Sequence, residues 1–217
     1  MKNIKLFLTS IIIGLSLSAH AQVQIGVKAI YGTSYNKEVT EEFVNINPLR
    51  VHNITALQSD ARVGLGLSLY AANEKLFFIS DVQYVISGDN YILNSSGISR
   101  TPLDPAERFE SNDSDLRLTV SSGYTYKNFK FGVGPEFSYS LSKTETLSQI
   151  DEIQAIDEKF RAGFNFLIGY KFLDHIHLDL KHTFMFNDVS SEFIYLGVPL
   201  AFESNQKFIE LNLAYYF

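Results

Sequence analysis

Lys207-Phe-Ile-Glu-Leu-Asn-Leu-Ala-Tyr-Tyr-Phe217 is the stretch on which the reading of the fold turns. In a strand of period two, Ile209, Leu211, Leu213, Tyr215 and Phe217 fall on one side. Glu210 and Asn212 fall on the other, with Ala214 and Tyr216 beyond them. One apolar face and one polar face fit a wall between hydrocarbon and a wet interior.

The same alternation recurs upstream. Val23, Ile25, Val27, Ala29, Tyr31 and Tyr35 oppose Gln24, Gly26, Lys28, Gly32 and Ser34, with Ile30 as a blemish in the polar row. Ala61, Val63, Leu65, Leu67 and Leu69 oppose Arg62, Gly64, Gly66 and Ser68. Leu76, Phe78, Val82, Tyr84 and Ile86 share a face opposite Asp81 and Gln83, while Phe77 and Ile79 blur the start. Further strands are expected over 115–126, 129–142, 161–172 and 176–187, which makes eight. Pro135 lacks a ladder donor, so a bulge is expected there. Over 143–159 the period changes: Leu147, Ile150, Ile153, Ile156 and Phe160 recur every three or four residues, which predicts a short amphipathic helix.

The connections run long, short, long, short, long, short, long. The long ones are 36–60, 88–114, 143–159 and 188–206, and the short ones are 71–75, Lys127-Asn128 and 173–175. This is the signature of an antiparallel up-and-down transmembrane β-barrel with its longer loops outside. A soluble barrel with its faces inverted is the competing architecture. Phe193-Ile-Tyr-Leu-Gly-Val-Pro-Leu-Ala-Phe202 is almost wholly apolar within the last connection. An extra hairpin there leaves eight or ten strands open.

The other end reads as an export signal. Lys2 and Lys5 precede a short apolar run over 6–17, and Ala19-His20-Ala21 is a small-x-small cleavage site. The expected barrel is therefore 22–217, with 1–21 removed. Losing Lys2 and Lys5 moves the formal charge from −6 to −8. An acidic exported chain lacks the basic footprint of nucleic-acid binding. Zero cysteines exclude disulfides, thiol catalysis and Cys-ligated metal. Twelve tyrosines and eighteen phenylalanines, with no long apolar run after Ala21, point to spanning by strands rather than helices.

The polar faces carry Lys28, Arg62, Asp81, Arg117, Glu136, Arg161, Lys171, Asp179, Lys181 and Glu210. An eight-stranded barrel is just wide enough for side chains to fill, so opposed charges are expected to pair across it and close it. A charged pore lining is the alternative. His182-Thr183 near Ser190-Ser191 is the nearest approach to a histidine–serine pair, but nothing in the spacing requires contact. His175 and His177 are two apart and could share a face toward a metal. No catalytic, cofactor or metal residue is assigned, and no cofactor is expected.

Four stretches carry a family resemblance: Ser80-Asp-Val-Gln-Tyr-Val-Ile-Ser-Gly88, Phe131-Gly-Val-Gly-Pro-Glu-Phe-Ser-Tyr139, Gly163-Phe-Asn-Phe-Leu-Ile-Gly-Tyr170 and Leu211-Asn-Leu-Ala-Tyr-Tyr-Phe217. In order and spacing they resemble the PorT-type outer-membrane β-barrel family, relatives in shape of small OmpA/OmpX barrels. The last also resembles the C-terminal insertion signal of Gram-negative barrels. These resemblances imply residence in the bacterial outer membrane among lipid and lipopolysaccharide. They also imply recognition of Leu211, Leu213, Tyr215 and Phe217 by barrel-insertion machinery. The expected role is structural, or surface interaction through the loops, with 192–203 and the predicted 147–160 helix as contact surfaces of a monomer. A narrow channel, a lipid-modifying enzyme and an accessory factor in protein secretion are the alternatives.

Overall fold

The structure, a computed structural model, describes residues 22–36, 40–46, 49–56, 61–97, 107–146, 159–186, 189–195, 198–204 and 206–217. Side chains are described within 22–34, 61–88, 112–141, 159–186 and 207–217. Among the described residues there are twelve strands and no helix. They are β1 (Gln22–Asn36), β2 (Thr40–Ile46), β3 (Leu49–Ala56), β4 (Ala61–Ala72), β5 (Leu76–Gly97) and β6 (Glu107–Tyr126). β7 (Phe129–Thr146), β8 (Phe160–Lys171), β9 (Ile176–Met185), β10 (Val189–Tyr195), β11 (Val198–Ser204) and β12 (Gln206–Tyr216) follow.

Eight of these make a closed antiparallel wall in the order β1, β4, β5, β6, β7, β8, β9, β12, and β12 pairs back onto β1. Following partners once round, from Gln22 through Ala72, Phe77, Gly123, Gly132, Leu167, Lys181 and Glu210, returns to β1 at Gly32, ten residues further on. A stagger of ten residues over eight strands tilts them by about 40° and sets opposite backbones about 16 Å apart.

The side chains settle which face meets lipid. Leu65 and Phe217 are each 70% exposed on the outside, whereas Arg117 and Glu210 are 0% exposed inside. Outward aromatics gather at two heights. Tyr124, Tyr126, Phe129, Phe172, Tyr215 and Phe217 ring the end that carries the short turns, and Tyr31, Tyr84, Tyr139, Phe160 and Phe186 ring the loop end. Leu65, Leu67, Val82, Val133, Ile168, Leu180, Leu211 and Leu213 fill the belt between. The apolar run from Phe129 to Tyr139 covers ten residue steps, or about 25 Å of height at this tilt, the thickness of a barrel's lipid-facing band. The wall is a transmembrane β-barrel, and the inverted soluble arrangement is excluded.

The expected loops are more ordered than the sequence suggests. Instead of a loop over 36–60, β2 and β3 form a hairpin, and β3 pairs with the far half of β5 from Tyr91 to Gly97. The second expected loop is shortened from both sides. β5 and β6 run 22 and 20 residues and stay paired out to Leu93 and Glu107. Residues 143–146, expected to open a helix, are the end of β7; the rest of that helix, 147–158, lies outside the described residues. β10 and β11 form a separate two-stranded hairpin, so the barrel has eight strands, not ten.

The bulge expected at Pro135 is absent. Register is the same on both sides of Pro135, and only the rungs Val120–Pro135 and Ser121–Gly134 drop out of the ladder with β6. Gly134 lets the strands stay close there, since a Cβ on it would collide with the Val120 carbonyl oxygen. The register shift occurs instead at Ser114/Asp115, whose partners are Ser142 and Ser140, leaving Leu141 as the extra residue. In consequence two consecutive residues, Ser114 and Asp115, are both buried.

Leu211 sits midway up the lipid face. In phospholipid vesicles Leu211→Arg should lower the unfolding free energy by about 2–4 kcal/mol, while Phe217→Arg at the rim should cost about 1 kcal/mol or less. Equal costs in urea titrations would contradict the orientation.

Candidate functional site

The interior is ionic from wall to wall. Six cations (Lys28, Arg62, Arg117, Lys130, Arg161, Lys181) and five carboxylates (Asp81, Asp115, Glu136, Asp179, Glu210) are buried among the described residues. Period two places each of them inward, opposite the apolar belt. A 16 Å bore cannot leave such groups hydrated in bulk, so they must meet each other.

The middle of the lumen is crossed by one bar. Arg117 on β6 and Glu210 on β12 lie on diametrically opposite strands. The Arg117 guanidinium donates through Nη1 and Nη2 to the two Glu210 oxygens, the second bond being 3.0 Å, and through Nη2 to Glu136 on β7. Lys181 Nζ lies 3.1 Å from both Glu136 Oε2 and Glu210 Oε2. Thr183 Oγ1 donates to Glu136 Oε2 at 2.9 Å. A fork of five rigid donors is the group suited to joining two carboxylates at once.

Toward the loop end, Arg161 Nη2 donates to Asp115 Oδ1 at 2.6 Å. Arg62 stands 3.6 Å from Glu210 and 3.7 Å from Asp115, its guanidinium lying 3.7 Å over the Phe208 ring. Toward the turns, Asp81 accepts from Lys28 at 2.5 Å, Ser68 at 2.5 Å, Thr119 at 3.0 Å and Gln83 at 3.3 Å. Lys130 pairs with Asp179 at 2.7 Å and donates to His177 Nδ1 at 3.2 Å. An ammonium has no lone pair, so Nδ1 must accept and the His177 proton sits on Nε2.

Below this layer an aromatic stack ends the lumen. His177 meets Tyr70 edge-on at 4.8 Å and Tyr216 at 4.7 Å, and Phe77 lies beside Tyr70 at 6.5 Å. Phe77, Ile79, Leu167, Ala214 and Tyr216 belong to one buried apolar cluster with Tyr70. Phe77 can turn inward only because glycine faces it. A Cβ on Gly132 would lie 2.6 Å from the Phe77 ring, and one on Gly123 would lie 2.6 Å from Gly132 Cα.

Nine of the ten charges read on the polar faces line this interior. Lys171 does not: it ends β8 at the rim and pairs with Asp174 of the following turn at 3.0 Å. That neighbouring ammonium holds the Asp174 carboxyl below its ordinary range. Asp115 and Lys130 were missed. Lys130 stands between Phe129 and Phe131, and Asp115 stands two residues before Arg117, so alternation alone could have placed both. His175 and His177 do not share a site. His175 is exposed in the turn, its ring facing the Tyr216 carbonyl at 2.9 Å, while His177 is buried. His182 stands on the outer wall, 4.2 Å from the Phe184 ring. Among the described residues no three His, Asp or Glu side chains gather to hold a metal.

No family model matches the chain, and no curated protein matches it in sequence. Among solved structures the chain is similar to the outer membrane protein AlkL in lipid bilayers, with 16% identity over 89% of this chain and 90% of that one and a TM-score of 0.48. It is also similar to Neisserial surface protein A, with 11% identity, 91% and 99% coverage and a TM-score of 0.43. The outer membrane protease OmpT from Escherichia coli matches at 8% identity, 92% and 97% coverage and a TM-score of 0.40. The class assigned above, a small transmembrane barrel, rests on the register and polarity of this wall.

Removing Arg117 leaves Glu136 and Glu210 buried with Lys181 as their shared cation. Arg117→Met should therefore cost about 3–5 kcal/mol in vesicle-reconstituted protein. Adding Glu210→Gln should recover part of it, which a urea-midpoint comparison of the single and double variants will register.

Proposed function

We propose that the chain is a bacterial outer-membrane barrel of the small PorT-like or OmpA/OmpX-like kind, closed to solutes, that serves as a monomeric platform for contact at its loop end. The observation that carries this reading is the Arg117–Glu210–Glu136 bar, which joins opposite walls at mid-lumen. The second support is the unequal length of the wall. β5, β6 and β7 run 22, 20 and 18 residues, whereas β4, β8, β9 and β12 run 12, 12, 10 and 11. About 9–11 residues suffice to span. The excess extends one side of the wall outward and carries the β2–β3 hairpin on it.

The β10–β11 hairpin contains the apolar stretch Phe193–Phe202 and is the contact surface we assign to a partner. A run this apolar outside the lipid-spanning wall is the kind of segment that serves as an interaction site. Outer-membrane lipid and lipopolysaccharide surround the belt in this reading, and Leu211, Leu213, Tyr215 and Phe217 present the insertion signal. The four quoted motifs support the PorT-type likeness, and with it a role beside secretion or surface assembly.

Purified protein in planar bilayers should show no conductance steps; steady single-channel openings would replace this reading with the narrow channel. Deleting 192–203 should abolish surface binding in cells while leaving the folded barrel's gel mobility unchanged. A lipid-acting enzyme would need a hydroxyl beside its histidine. His182 on the outer wall leads us to expect that His182→Ala leaves lipid A and phospholipid profiles as they are.

A further inference from the structure

Within the spanning strands alternation turns charge inward, with one exception. Among the described residues Lys207 is the one charged side chain on the lipid face of the wall. It stands before buried Phe208 and outward Ile209 on β12, and its Nζ lies 5.9 Å from the ring centroid of Phe184 on β9. A lysine on that face is costly at mid-bilayer and nearly free at the interface. Lys207 is four residues from Leu211 toward the loops, about 10 Å along the barrel axis, close to the edge of a band about 25 Å tall. A flexible four-carbon stem carries the ammonium from there to the headgroups of the loop-side leaflet.

Its polar neighbour on this face is a donor. Lys207 faces Phe184 across one rung and Ile209 faces His182 on the next, so ammonium and imidazole are diagonal neighbours on one face. Both lie against the Phe184 ring, the imidazole at 4.2 Å between centroids. An ammonium has three donors and no acceptor, and an imidazole carries an N–H in either tautomer. Among the described residues no carboxylate pairs with Lys207, whereas each of the six lumen cations has one at 3.6 Å or closer. The complement of an unpaired ammonium with a second donor beside it, at headgroup depth, is a phosphate. Next to it Phe164, Phe166 and Phe184 meet edge-to-face at 5.4 and 6.0 Å, a rigid apolar surface at the depth of acyl chains.

We infer that Lys207 and His182 form a binding point on the outer wall for the phosphate of a loop-side-leaflet lipid, whose acyl chains lie on Phe164, Phe166 and Phe184. The inference rests on the outer-membrane reading above, under which that leaflet carries lipid A, a phosphorylated glycolipid. A lysine that snorkels with only water at its head is the competing account, and it predicts no preference between headgroups.

Native mass spectrometry of the detergent-solubilised barrel tests this with lipid A and phosphatidylcholine offered in equal amounts. The unaltered chain should retain lipid A in preference. Lys207→Met should lower that retention about fivefold or more, the worth of one basic group at a charged membrane surface, and Lys207→Arg should keep it. Both variants lie near the interface, and heat-modified gel mobility confirms that each is folded. The inference is overturned if the two lipids are retained equally, or if the Met and Arg variants behave alike. It is equally overturned if excess inorganic phosphate displaces lipid A at matched ionic strength, which would mark a free-anion site. An unaltered chain without heat-modified mobility would instead overturn the barrel, and the site with it.

Discussion

Closure of β12 on β1 is the constraint from which the rest follows. Eleven register pairs run along that seam, from Gly26–Tyr216 to Asn36–Gln206, and Phe217 N adds a bond to Ile25 O at 2.8 Å. In hydrocarbon an unpaired backbone group costs several kcal/mol, so a wall with an open edge is not viable. Once eight strands close with a stagger of ten, the tilt and the bore are no longer free. A bore of about 16 Å admits one long side chain from each side and little else. Arginine facing glutamate fills that distance, and this is what Arg117 and Glu210 do.

Filling the bore with ions rather than hydrocarbon is costly in itself. A buried pair must offset the desolvation of both partners, and apolar replacements of equal volume are often no less stable. The ionic interior does something an apolar one cannot. It makes the two faces of every strand different, and a one-residue slip exchanges those faces completely. A slip of β12 would place Glu210 and Asn212 in lipid and Leu211 and Leu213 in the lumen. The Lys181–Glu210 rung and the Asn212–Asp179 rung fix β12 against β9 in the same way. The charges specify register, whatever they subtract from stability.

That difference between faces is also why the wall was legible in the sequence. Where a strand divides lipid from lumen, alternation is enforced, and β4, β9 and β12 could be read almost residue by residue. Beyond the belt there is no hydrocarbon to enforce alternation. The hairpin β2–β3 and the far halves of β5 and β6 therefore read as loops. Ile30, Phe77 and Ile79 looked like errors in a polar row. Ile30 is an apolar residue buried inside the barrel, and Phe77 and Ile79 belong to the aromatic stack that ends the lumen, where packing replaces pairing. Partner choice was not legible at all. Arg117 and Glu210 are 93 positions apart, and no spacing rule predicts which of five carboxylates an inward arginine will reach. Asp115 was legible by the rule that gave Arg117, since it stands two residues before it on the same face, and it was passed over at the first position of the expected strand.

The order of layers inside the barrel has a further consequence for what such a chain can do. From the turns upward come a cavity, the aromatic stack, the Lys130–Asp179 and Lys28–Asp81 pairs, the Arg117 bar, and finally Arg62 with Asp115 and Arg161. Each layer is anchored on several strands, so opening one requires moving the wall and not merely a side chain. A solute would have to break at least two buried ion-paired layers in series, each costing several kcal/mol when broken. The two ends of the lumen are thus chemically isolated while being mechanically joined by the same eight strands. A barrel so built presents two chemically different ends on one rigid wall.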